Sequence, residues 1–68
     1  MRQVVIYPGE DGYWITQCLS LPGCISQGKT RAEAIANIRE AIEGYLAALE
    51  DDHLPIPEDQ FETLLVAV

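Results

Sequence analysis

Apolar residues crowd the first third of this chain with little alternation, then fall into a helical rhythm through its middle. The run Gln3-Val4-Val5-Ile6-Tyr7, within Arg2 to Tyr7, is β-branched and aromatic and predicts a strand with both faces at least partly apolar. Pro8-Gly9-Glu10-Asp11-Gly12 carries turn chemistry, with Gly12 following an acidic pair. Tyr13 to Cys18 predicts a second strand antiparallel to the first. Its weak alternation leaves open which of Tyr13 and Trp14 faces the core. Leu19 to Pro22 predicts a corner, where Pro22 fixes φ and the following Gly23 admits positive φ. Cys24 to Gly28 predicts a short third strand.

The helix signal is the strongest. Ile35, Ile38, Ile42, Tyr45, Leu46 and Leu49 recur at helical spacing, with Ala34, Ala41 and Ala48 beside them. Arg39, Glu40, Glu43, Glu50 and Asp51 fall on the other side. Thr30 and Glu33 have the spacing of a capping box, so one amphipathic helix is predicted from about Arg31 to Glu50. Its apolar stripe needs a sheet to cover it. Gly44 inside it costs about 1 kcal/mol relative to Ala, which a close packing neighbour would explain. Pro55 and Pro57 make His53 to Asp59 an extended linker. Phe61 to Val68 predicts a last strand, apolar on both faces along Leu64-Leu65-Val66-Ala67-Val68, as in a strand covered on both sides or covered by a second chain. The fold class is α+β, in the order β-β-β-α-β: an antiparallel three-stranded sheet plus a C-terminal strand, with one long helix packed on one face. Residues 1–68 form a single domain.

Composition narrows the function. A chain of 68 residues that is 49% hydrophobic has a small core and much apolar surface, which favours oligomerisation. Leu64, Val66 and Val68 are the candidate interface between copies, as a dimer or larger assembly. Four basic against eleven acidic residues give a net charge of −7. Such a chain repels nucleic acid, so no direct nucleic-acid binding is expected, and a basic protein partner is favoured. Solubility alone would explain the charge equally well. Cys18 and Cys24 match neither a CxxC redox pair nor a zinc half-site, and are expected to be reduced, packed thiols of a cytoplasmic protein. No signal peptide or membrane-spanning run is present in the sequence.

Candidate chemistry is sparse. His53 is the single histidine. No serine or cysteine is spaced to serve it as nucleophile, and its place after Asp51 and Asp52 suits a role at a helix C-terminus. A two-metal nuclease site needs acids converging from strands and helix. The first three strands carry none in their apolar cores, while Glu10 and Asp11 lie in a turn and Glu62 at the last strand's start. No enzyme, metal or cofactor is expected. Glu50-Asp51-Asp52 places three acids where the helix dipole disfavours them. They form the first candidate patch for a basic partner. Asp11 in the first turn and Trp14 on the second strand are secondary candidates; a solvated helix end and ordinary core packing are the bland alternatives.

The ordered set Tyr7-Pro8, Asp11-Gly12-Tyr13, Leu21-Pro22-Gly23-Cys24, Gln27-Gly28, Thr30, Ala32-Glu33-Ala34, Asn37, Ala41, Tyr45-Leu46 and Pro55-Ile56-Pro57 spans nearly the whole chain. In this order it resembles the HicB-like antitoxin family, whose shared domain is described as a partial ribonuclease H fold. The resemblance implies an antitoxin that neutralises a small basic HicA-like toxin, a messenger-RNA ribonuclease, by covering its active site. Many members continue into a ribbon-helix-helix or helix-turn-helix DNA-binding domain that represses their own operon. This chain is read as the stand-alone form without one. The alternative is an orphan homo-oligomeric regulatory or scaffolding domain with no toxin partner.

Overall fold

In the computed structural model, which describes residues 2–59, three strands precede one helix: β1 (Val4–Pro8), β2 (Trp14–Cys18), β3 (Ile25–Gly28) and α1 (Arg31–Asp51). A single 3-10 turn, Glu10–Gly12, joins β1 to β2. The strands make one antiparallel meander in the order β1-β2-β3. The predicted strand from Phe61 to Val68 lies outside the described residues. Boundaries otherwise move by one or two residues: β1 spans Val4–Pro8, β2 begins at Trp14, β3 begins at Ile25, and α1 reaches Asp51. Pro8 is tolerated because β1 pairs with β2 on one side only among the described strands.

Register decides which side chains meet the helix. Val4 opposes Cys18, Ile6 opposes Thr16 and Pro8 opposes Trp14, while Thr16 opposes Ser26 and Trp14 opposes Gly28. Directly opposed residues share a face. These residues form the helix side, which settles that Trp14 rather than Tyr13 points that way. The core there comprises Cys18, Leu21, Cys24 and Ile38, with Val4, Ala41, Ile42, Tyr45 and Leu46 packed around it. Ile35, Ile38, Ile42, Tyr45, Leu46 and Leu49 of the predicted helical stripe are all buried or half-buried, as are Ala34 and Ala41, while Ala48 is exposed.

Close approach sets where the helix sits. A Cβ built on Gly28 would stand 2.8 Å from the Glu33 carbonyl carbon and 2.9 Å from the Ala34 Cα. The first turn of α1 therefore rests directly on the β3 backbone. Thr16, fully buried, places its hydroxyl 3.3 Å from both the Ser26 and the Ala34 carbonyl oxygens. One hydroxyl hydrogen is thus shared between the sheet and the helix. Farther along, the Asn37 amide donates to the Gln27 carbonyl at 2.7 Å and the Tyr45 hydroxyl to the Pro22 carbonyl at 2.9 Å. The corner carrying Pro22 has Gly23 at φ 79°, as its sequence requires.

Capping follows the prediction in one arm and departs in the other. The Glu33 N–H donates to Thr30 Oγ1 at 3.0 Å. The Glu33 carboxylate reaches the Lys29 N–H, at 3.5 Å, instead of the N-cap's own N–H. Gly44 also departs from expectation: a Cβ there would meet nothing within 4 Å, so no neighbour among the described residues requires a glycine.

Two substitutions test this geometry in opposite directions. Gly44→Ala is expected to stabilise the fold by about 1 kcal/mol through helix propensity alone. Gly28→Ala is expected to destabilise it by about 2 kcal/mol, because the overpacked Cβ forces the helix off the strand. Denaturant melts of the two variants against the parent measure both shifts.

Candidate functional site

The helix leans over β2 and β3 and makes few contacts with β1. That asymmetry opens a cleft of about 670 Å³ between β1 and the helix. Its floor is apolar: Val4 and Ile6 from β1, and Ile35, Ile38, Ile42 and Leu46 from α1. Arg2, Arg31 and Arg39 stand on its rim with Glu43. Three of the chain's four basic residues are therefore gathered at one place. Arg2 is held there by donating to Ser20 Oγ at 2.9 Å.

The acids gather at the helix's far end. Glu50 and Asp51 close the last turn, Asp52 is the C-cap, and all three are exposed. The helix ends in a Schellman arrangement. The Leu54 N–H donates to the Leu49 carbonyl at 2.9 Å, and the His53 N–H to the Glu50 carbonyl at 3.1 Å. His53 occupies the left-handed position between them, with φ 54°. Main-chain groups thus satisfy the closing carbonyls, and the cluster's carboxylates project from a fixed backbone. Beyond the helix, the linker turns back toward β1, where the Gln3 N–H donates to Asp59 Oδ2 at 3.0 Å.

The secondary candidates lie elsewhere. Asp11 is exposed at the tip of the first hairpin, with φ 62°. Trp14 is half-buried on the helix side of the sheet, opposite Gly28, where α1 begins. From Ala34, which sits over Gly28, to Glu50 the helix rises about 24 Å, so the structure does not bring Asp11 and Trp14 together with the acidic cluster. Leu64, Val66 and Val68 lie outside the described residues. A second apolar surface was hidden from the sequence by the unclear strand alternation. Val5, Tyr7, Ile15 and Ile25 share the sheet face away from the helix, and Tyr7 and Ile25 are 44% and 55% exposed. Among the described residues, no group of His, Cys, Asp and Glu could hold a metal ion, and no helix is long and apolar enough to cross a membrane.

A family model described as "HicB_like antitoxin of bacterial toxin-antitoxin system" matches residues 3–65. UPF0150 protein Ta0767 of Thermoplasma acidophilum is 44% identical over 63 residues, covering 93% of this chain and 91% of that protein. UPF0150 protein ssl0738 of Synechocystis sp. is 38% identical over 64 residues, covering 91% of this chain and 89% of that one. A UPF0150 protein of Helicobacter pylori is 52% identical over 50 residues, covering 74% and 68%. No solved structure matches the chain.

The left-handed residue that closes the helix gives a direct test of the cluster's footing. His53→Gly is expected to stabilise the chain by about 0.5–1 kcal/mol, because glycine adopts that conformation without a Cβ penalty. Thermal unfolding of the variant beside the parent reads the difference.

Proposed function

The chain belongs to the HicB-like antitoxin family, and on that premise we propose that it captures a small basic HicA-like messenger-RNA ribonuclease and covers the toxin's active site. The observation that carries the reading is the separation of charge. Three of four cations stand at the cleft beside β1, while Glu50, Asp51 and Asp52 project together from the capped end of a long helix. A basic protein approaching this surface is drawn to the acidic end by the field. Affinity would then come from apolar contact, with charge governing encounter rate and selectivity. No catalytic step is assigned to this chain; inhibition is by occupancy.

Self-assembly is the second reading, and the open sheet face favours it. Val5, Tyr7, Ile15 and Ile25 form an apolar surface of the kind that copies of one chain bury against each other. The two readings are compatible, since an assembly can carry several acidic ends. Taken alone, the second describes an orphan regulatory or scaffolding oligomer.

Affinity purification of the tagged chain from its own cells separates them. The expected result is a stoichiometric small basic protein whose ribonuclease activity is silent in the complex and returns on dissociation. Recovery of self-associated chain alone supports the orphan assembly instead. With the partner in hand, the double variant Asp51→Lys, Asp52→Lys is expected to slow association about tenfold at low salt, and the difference should shrink as salt rises. Association kinetics unchanged at every salt concentration would remove the helix end from the interface.

A further inference from the structure

Cys18 and Cys24 are the chain's two cysteines, and the antitoxin reading uses neither. The sequence shows them as buried thiols with no redox spacing; the fold gives them a relation. The ladder between β2 and β3 runs Thr16 with Ser26, then Gln17 with Ile25. Continued by one residue, that register sets Cys18 opposite Cys24: the Cys18 N–H donates to the Cys24 carbonyl at 3.0 Å, while the Cys24 N–H turns into the corner and donates to the Leu21 carbonyl at 3.0 Å. Opposed residues share a face, so both thiols enter the helix-side core, and both belong to its buried cluster. Burial pushes the Cys24 thiol above its ordinary pKa, and the neighbouring Cys18 adds to the rise. Opposed residues of antiparallel strands have Cα atoms about 4.5–5.5 Å apart, within the roughly 4.4–6.8 Å that a disulfide spans.

We propose that Cys18 and Cys24 are a reversible dithiol–disulfide pair that closes the Leu19–Gly23 corner into a covalent ring, with a low-molecular-weight disulfide such as oxidised glutathione as the oxidant. One cysteine thiolate attacks the glutathione disulfide and releases the first glutathione thiolate. The second cysteine attacks the mixed disulfide and releases the other. Two protons leave the protein thiols and two glutathione thiols form, so the protein is oxidised by two electrons and glutathione disulfide is reduced by two.

Two features of the site set its behaviour. Cys18 and Cys24 are only 1% and 4% exposed, so attack waits on opening of the corner. Oxidation is therefore slow in the folded chain. Cβ atoms on opposed residues stand about 4.5–5.5 Å apart and those of a disulfide about 3.5–4.5 Å, so closing the bond draws the two strands together at this rung. Its formation draws Cys18 Sγ away from Ser20 Oγ, 3.6 Å distant, and leaves Ser20 with Arg2.

The test uses the intact chain equilibrated in glutathione buffers from fully reduced to fully oxidised, quenched in acid, then read by intact mass and by thiol titration in denaturant. The expected oxidised product is a monomer lighter by two hydrogen atoms, with both titratable thiols lost together and both restored by dithiothreitol. Cys18→Ser and Cys24→Ser should each abolish that species. A glutathione adduct that proceeds no further, a disulfide-linked dimer, or two free thiols persisting in the fully oxidised buffer would each overturn the proposal. The mass measurement on the parent chain decides the matter even where a serine variant folds poorly.

Discussion

The seating of the helix's first turn on Gly28 is the constraint from which the remaining geometry follows. With no Cβ between them, β3 and α1 approach to backbone contact. That approach brings the Ala34 carbonyl within reach of the buried Thr16 hydroxyl and Asn37 within reach of the Gln27 carbonyl. Once the N-terminal end is fixed this low on β3, the helix passes over β3 and β2 and stands away from β1. The cleft beside β1 is the space that this placement leaves. The position of the acidic end is set by the same contact, carried along a helix of 21 residues.

Charge follows from this frame. Arg31 and Arg39 share the cleft rim with Arg2, while Glu50, Asp51 and Asp52 lie at the opposite end of α1. The last turn of α1 is thus acidic with no cation, while three arginines line the cleft with Glu43 among them. A partner therefore meets an oriented field rather than a uniformly negative surface.

Much of the fold was legible in the sequence because the signals were local. Thr30 and the Ile35-to-Leu49 stripe marked a helix whose start fell where expected, and Pro22-Gly23 marked a corner whose positive φ the structure confirms. The misses were tertiary. Nothing in the sequence singled out Thr16, yet it is fully buried and shared between two elements. Whether Trp14 or Tyr13 faced inward depended on cross-strand register, which apolar content on both faces concealed. Gly44 invited a packing explanation that the described residues do not supply, whereas the glycine with a tight steric reason is Gly28. At the helix end, Glu50 to Asp52 were visible as a charge cluster, but the left-handed His53 that closes the turn was not, because that position ordinarily takes glycine.

The meander has a consequence for how the chain reaches its shape. Each described strand pairs with its neighbour in sequence, and the helix that covers them follows directly after the third. Each strand-pairing step among them therefore closes a short loop, whose entropy cost is small. Pairing between neighbours in sequence folds faster than pairing of distant segments. During synthesis the two hairpins leave the ribosome before the helix that seals them. Newly made copies need no distant segment among the described residues to begin folding, so each acquires its sheet within a short time of its release.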